Sequence, residues 1–355
     1  MAKILIKNGR IWDGSRFFYA DVLTDAEKVT KIEPHIAEAA GYVYDASGKT
    51  VSAGLVDIHV HMRVTPTDEY GIQAEMSCFP FGVTAAADAG RIQGDRIVMD
   101  SFMLKNLVFV TADIRNNRVD FGSVERTIDR FGDKTVGIKV YFDTTLNGVS
   151  DLSSLREVCV FAKKHGLRVM VHCSNSPVPM ADILNTLQAG DILTHAFHGG
   201  NSNAAEDHFE SMRAAQARGV IIDSGFAGHV HTDFEIFRGA LQAGITPDTI
   251  STDITKRSAY IRGGRYGMTL CMSMAREAGM GEKTIFRAVT STPAAVLGKA
   301  GEWGCLRVGG TADIAVLEHT NEAFSLTDAA QNHMEGQQGY RCVLTVSDGQ
   351  IVYRD

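Results

Sequence analysis

Gly54-Leu55-Val56-Asp57-Ile58-His59-Val60-His61-Met62-Arg63 is a short apolar run that closes on two histidines one residue apart. In an extended strand, residues i and i+2 project from the same face. His59 and His61 can therefore reach one point at the strand's end, as ligands of a shared metal ion must. Alone, such a pair fits the solvated face of an edge strand equally well. It gains weight from four later residues, Lys139, His172, His195 and Asp253, each of which comes at or near the end of its own apolar run.

Those runs recur through the middle of the chain. After the first come 82–88, 107–112, 136–141, 168–172, 191–195, 220–223 and 249–253, separated by stretches with helical periodicity. In one such stretch Leu155, Val158, Cys159 and Ala162 share a face. Near-continuous apolar runs suit parallel strands buried on both sides. Their repeated alternation with helices predicts an α/β fold, a (β/α)8 TIM barrel whose functional residues gather at the C-terminal strand ends. A doubly wound open sheet would also alternate, but the first strand is not followed by a glycine fingerprint.

Both ends of the chain read differently. Residues 4–45 are short β-runs punctuated by Asn8-Gly9 and Asp13-Gly14, which read as hairpin turns, and the runs at 309–317 and 343–353 have the same grammar. The first segment is too small to bury a generous core by itself. We therefore expect residues 1–53 and 303–355 to join in one small β-sandwich domain, interrupted by a barrel over 54–302.

Composition limits the function classes. The 355 residues are 45% hydrophobic and 22% charged with a formal charge of −7, which suits an ordered globular protein and offers no overall basic field for nucleic acid or an anionic membrane. No run is long and apolar enough for a membrane span, and the N-terminus opens as a strand, which points to a cytoplasmic protein. The six cysteines show no Cys-x-x-Cys spacing, arguing against a disulfide framework or a zinc knuckle. Cys173 follows His172 directly, so on a strand it points to the opposite face and packs behind the barrel wall.

A lysine within Gly137-Ile138-Lys139-Val140-Tyr141 would be costly to bury without a partner. Together, His59, His61, Lys139, His172, His195 and Asp253 point to metal binding at the barrel mouth. The same pattern resembles the amidohydrolase superfamily, in particular its members with two metals bridged by a carboxylated lysine. Gly82-Val83-Thr84, Asp88-Ala89-Gly90, 190–195 and 247–253 resemble its dihydroorotase-like, amidohydrolase/deacetylase branch.

The resemblance implies that His59, His61 and Asp253 hold the more buried metal and that His172 and His195 hold the more exposed one. Lys139, as a carbamate derived from carbon dioxide, would bridge the two. It implies two divalent cations, with zinc the first candidate, and a bridging water of lowered pKa as nucleophile. Asp253 would be general base and then general acid. The reaction would be hydrolysis of an amide, cyclic amide or acyl ester in a small polar molecule.

Arg63 gives a His-x-His-Met-Arg string similar to one in dihydroorotases, where the arginine meets a substrate carboxylate. With Arg262 and Arg265 in a glycine-rich loop after the last run, it suggests a carboxylate-bearing substrate. His198, His229 and His231 are further candidates for substrate contact, though a loop role suits them at least as well. The His229-x-His231 pair lies too far beyond its strand end to read as another main metal site. Asp57 reads as support for the first strand's end.

The segment His172-Cys173-Ser174-Asn175 departs from the His-Ala-Glu type of hydantoinases and dihydroorotases, which argues against true dihydroorotase activity. Two competing readings are a deaminase of the same superfamily, for which a carboxylated lysine is superfluous, and a catalytically silent homologue. The partner expected is a small molecule, with neither nucleic acid nor membrane, and a homo-oligomer is compatible with the sequence.

Overall fold

The computed structural model describes residues 3–65, 68–227, 231–261 and 266–355. Seven parallel strands lie side by side in chain order: Leu55–Val60, Val83–Asp88, Lys105–Ala112, Thr135–Tyr141, Arg168–His172, Ile192–Leu193 and Ile221–Ile222. The run at 249–253, expected as an eighth strand, closes the curve in another way. It meets the seventh strand's end through a single Asp223–Thr249 bridge and the first strand through Val60–Ile254. Backbone hydrogen bonds from Ser224 N to Thr249 O (3.1 Å) and from His61 N to Ile254 O (3.1 Å) stitch it to both sides. Regular pairing fails here because Asp253 turns left-handed, at φ 48°, and because Thr252 gives its N–H and hydroxyl to the Asp57 carboxylate.

Two hydrophobic populations follow from strand alternation. Val110, Ile138, Val140, Val169 and Val171 pack outward against the helices. Ala85, Ala87, Leu107, Phe109, Met170 and Ile192 fill the interior together with Val56 and Ile58. Pairing of the first and second strands slips between Asp57 and Val60, so Ile58 and His59, adjacent in sequence, both serve the inside. The helix Ser153–Lys164 buries Leu155, Val158, Cys159 and Ala162, the face its periodicity predicts.

Strands from both chain ends join in one eight-stranded sheet, in which Thr50–Ala53 lies between Ile4–Trp12 and Ile314–Thr320. Asn8-Gly9 makes no hairpin turn. Ile4–Trp12 runs straight through it as one strand, with a register shift between Ile6 and Gly9 and with Asn8 at φ 61°. The reason is that Asp21 Oδ1 accepts the Asn8 N–H across the sheet at 2.7 Å, which stabilises a bulge instead. Asp13-Gly14 does turn, with Asp13 Oδ1 accepting from Ser15 N and Arg16 N.

The sheet and the barrel are tied by partly buried polar contacts. Lys105 Nζ lies 2.8 Å from both Asp313 Oδ1 and Asp348 Oδ2, and Arg10 forks onto Glu282 with two contacts of 2.8 Å. Among the described residues no helix is long and apolar enough to cross a membrane.

Gly54 sits where the sheet hands over to the barrel, its N–H donating to Asp313 O at 2.9 Å. A Cβ there would fall inside the buried Thr84 side chain. Gly54→Ala should therefore cost about 1–3 kcal/mol of overpacking, read as a melting temperature several degrees lower. An unchanged melting curve would show that this junction has slack.

Candidate metal centre

Six side chains from four strand ends and the closing segment converge in the barrel mouth, all buried. His59 Nε2 and His61 Nε2 lie 3.2 and 2.9 Å from Asp253 Oδ1. Lys139 Nζ is 3.3 Å from His59 Nε2. One ring nitrogen each of His172, His195 and His231 forms a second group, its atoms within 4.8 Å of one another, as those of His59, His61 and Asp253 also are. His195 joins the two groups, with Nε2 3.9 Å from Asp253 Oδ2.

The outer partners of the rings settle where their protons sit. His61 Nδ1 faces Gly90 O at 3.1 Å and His195 Nδ1 faces Gly225 O at 2.7 Å. A carbonyl oxygen only accepts, so each Nδ1 carries the proton and each Nε2 presents a lone pair. His59 Nδ1 faces Thr194 Oγ1 at 2.9 Å. That hydroxyl spends its only proton on Asp223 Oδ2, 2.7 Å away, so His59 also turns a bare Nε2 inward. Lone pairs of His59 and His61 thus confront a carboxylate oxygen at close range with no proton between them. Asp253 Oδ1 is indeed buried without a hydrogen-bond partner. Such an arrangement is repulsive until a cation sits in it, and nitrogen and carboxylate donors are what divalent transition metals take.

Local electrostatics agree. Burial pushes the pKa of His195 well below the ordinary imidazole value and lowers that of His172, so both are neutral and able to ligate. Burial also brings Lys139 down to about 8, against the pull of Asp253 and Asp223. His195 and Asp253 both hold left-handed backbones, at φ 55° and 48°, conformations that non-glycine residues adopt at a cost and that cluster at functional sites.

Other sequence candidates land elsewhere. His198 is not available to a substrate: its Nδ1 accepts from Gly200 N at 3.1 Å, its Nε2 faces Cys173 Sγ at 3.8 Å, and the ring is buried. Cys173 is buried behind the wall, as strand parity predicts. Arg63 Nε donates to Thr65 O at 3.0 Å, and the side chain lines a neighbouring cavity of about 240 Å³ with Gln73, Lys256 and Tyr260. His229, Arg262 and Arg265 lie outside the described residues. Asp57 supports the first strand as expected, accepting from His59 N at 3.1 Å and Thr252 Oγ1 at 2.7 Å.

Sequence reasoning missed Arg91 and left His231 to a loop. The Arg91 guanidinium lies 4.3 Å over the Tyr141 ring and 5.6 Å over Tyr70. Those rings in turn flank His172 at 5.7 Å and His61 at 4.8 Å. The signal was its position directly after Asp88-Ala89-Gly90, at the second strand's end, where barrel sites gather.

Comparison with known proteins agrees with this geometry. Residues 50–352 match the amidohydrolase family. A deacetylase of Enterococcus faecalis is 26% identical over 98% of this chain and 98% of its own. The crystal structure of an adenine deaminase superposes with a TM-score of 0.87 at 24% identity, covering 99% of both chains. That of a dihydroorotase reaches 0.87 at 20% identity, covering 100% of this chain and 98% of its own.

If the Thr194 hydroxyl orients His59, Thr194→Val should weaken metal binding by roughly 10–100-fold, the usual effect of removing a group that orients a ligand. Competition against a graded chelator reads this directly. Equal affinity in the two proteins would remove Thr194 from the design.

Proposed function

Because the chain belongs to the amidohydrolase family, on its deacetylase- and dihydroorotase-like branch, we propose that it uses metal to hydrolyse an amide, cyclic amide or acyl ester bond in a small, polar, carboxylate-bearing molecule. Family membership makes it a hydrolase acting on carbon–nitrogen bonds. Support for the finer reading comes chiefly from Lys139, fully buried with Nζ 3.3 Å from His59 Nε2, among histidines that form two ligand groups.

In this reading His59, His61 and Asp253 would hold one cation and His172 and His195 another, with Lys139, as a carbamate, contributing negative charge to both. Two divalent cations, zinc first among the candidates, would supply a water of lowered pKa and polarise the substrate carbonyl. An ammonium at Lys139 would repel both, whereas its carbamate presents two anionic oxygens. With its pKa near 8 the buried amine keeps an appreciable neutral fraction at neutral pH, the form that reacts with carbon dioxide.

Asp253 reaches over both groups. It accepts the proton of the attacking water and returns it to the departing nitrogen or oxygen, base first and acid second. The exposed Arg91 guanidinium stands at the rim above Tyr70 and Tyr141, with a fork shape that suits a carboxylate.

The test is metal content by plasma mass spectrometry, paired with turnover of N-acyl amino acids, acetylated hydroxy acids and cyclic amides. We expect about two equivalents per chain, loss of turnover on chelation, and recovery with zinc. Asp253→Asn should lower kcat by roughly 10²–10⁴-fold, the scale of a lost general base. Full activity in the metal-stripped protein, or in that variant, would rule the mechanism out.

A further inference from the structure

We propose that His231 is a third nitrogen ligand of the second cation, so that His172, His195 and His231 form a site complete without Lys139. This rests on the metal-dependent reading above and goes beyond it, since that reading gives the second cation only two histidines and the bridging lysine.

The geometry is specific. The His231 ring centroid is 4.3 Å from that of His195 and 4.8 Å from that of His172, and one nitrogen from each ring meets the others within 4.8 Å. Ser174 Oγ holds His231 Nδ1 at 3.0 Å, leaving Nε2 as the nitrogen open to a ligand. His195 is fixed in turn by the Gly225 carbonyl, and His172 turns Nε2 towards Asp143 Oδ2 at 3.6 Å, which leaves Nδ1 as that ring's open nitrogen. Three imidazoles with a fourth position open to water is a known constellation for a catalytic zinc.

A departure in the sequence and a loop histidine meet at this point. Ser174 stands in the segment that differs from the His-Ala-Glu type, and His231 comes from the loop after the seventh strand. A short hydroxyl side chain at 174 is what touches the imidazole. Each residue alone reads as incidental, but in contact they make one device: the serine orients the ring, and the ring supplies the donor.

The experiment is zinc content by plasma mass spectrometry on four full-length proteins: unmodified, Lys139→Met, His231→Ala and the double variant. Each is loaded with zinc and dialysed against a weak chelator, and folding is checked by circular dichroism. Lys139→Met should keep close to two equivalents and the double variant close to one. His231→Ala alone should show one of its two equivalents weakened about 10-fold or more, and His231→Asn serves if the alanine variant unfolds.

A Lys139→Met protein that already holds a single zinc would overturn the inference while leaving the metal-dependent reading intact. So would a double variant that holds as much as Lys139→Met, or a His231→Ala protein with altered KM and unaltered zinc binding. An unmodified protein that binds no zinc would sink both together.

Discussion

Everything at the barrel mouth answers to one repulsion: buried bare imidazole nitrogens and a carboxylate oxygen face one another at 2.9–3.2 Å. Left uncompensated, such groups would be expensive, and the surrounding structure is built to prevent their escape by rotation or by protonation. The Gly90 and Gly225 carbonyls and the Thr194 hydroxyl each claim the outer nitrogen of one ring, which fixes the tautomer and the ring plane together. Thr194 can do this only because Asp223 takes its proton. Asp223 also accepts from Thr249 and Ser251 at 2.7 Å each, so the orientation of His59 is anchored in the segment that closes the barrel.

The same economy explains why that segment carries Asp253 although it is not a regular strand. A strand would force side chains to alternate, whereas Asp253 must point inward from a left-handed backbone while its N–H reaches His59 O at 2.7 Å. Asp57 secures the neighbouring Thr252 through both its N–H and its hydroxyl. Buried carboxylates thus act as latches between strand ends. Asp88 does so for Met62 N and Gly90 N, and thereby helps to hold the carbonyl that orients His61.

Strand ends were legible in the sequence because alternation and burial are local properties: apolar runs announce strands, and a polar residue ending each run marks the mouth. His59, His61, Lys139, His172, His195 and Asp253 all came from that rule, and all meet. Loop geometry obeys no such period. His198, three residues past His195, turned out to be locked by Gly200 and Cys173. His231, much farther from its strand, returned to the centre. Asn8-Gly9 misled in the same way, because a distant carboxylate, that of Asp21, decided between turn and bulge.

The two ligand groups differ in one respect that bears on chemistry: the first contains an anion, Asp253, and the second only neutral imidazoles. Two dications bound a few ångströms apart need negative charge between them, and the second group has none of its own to give. In this buried setting a protonated Lys139 has the wrong sign. A neutral amine leaves the deficit unfilled, and only an anionic derivative of the side chain, or an anion brought by substrate or solvent, restores the balance. The exposed Arg91 guanidinium stands over rings that flank both groups. In the proposed reading it would draw a carboxylate towards the rim without neutralising cations held below, and recognition and charge compensation would fall to different residues.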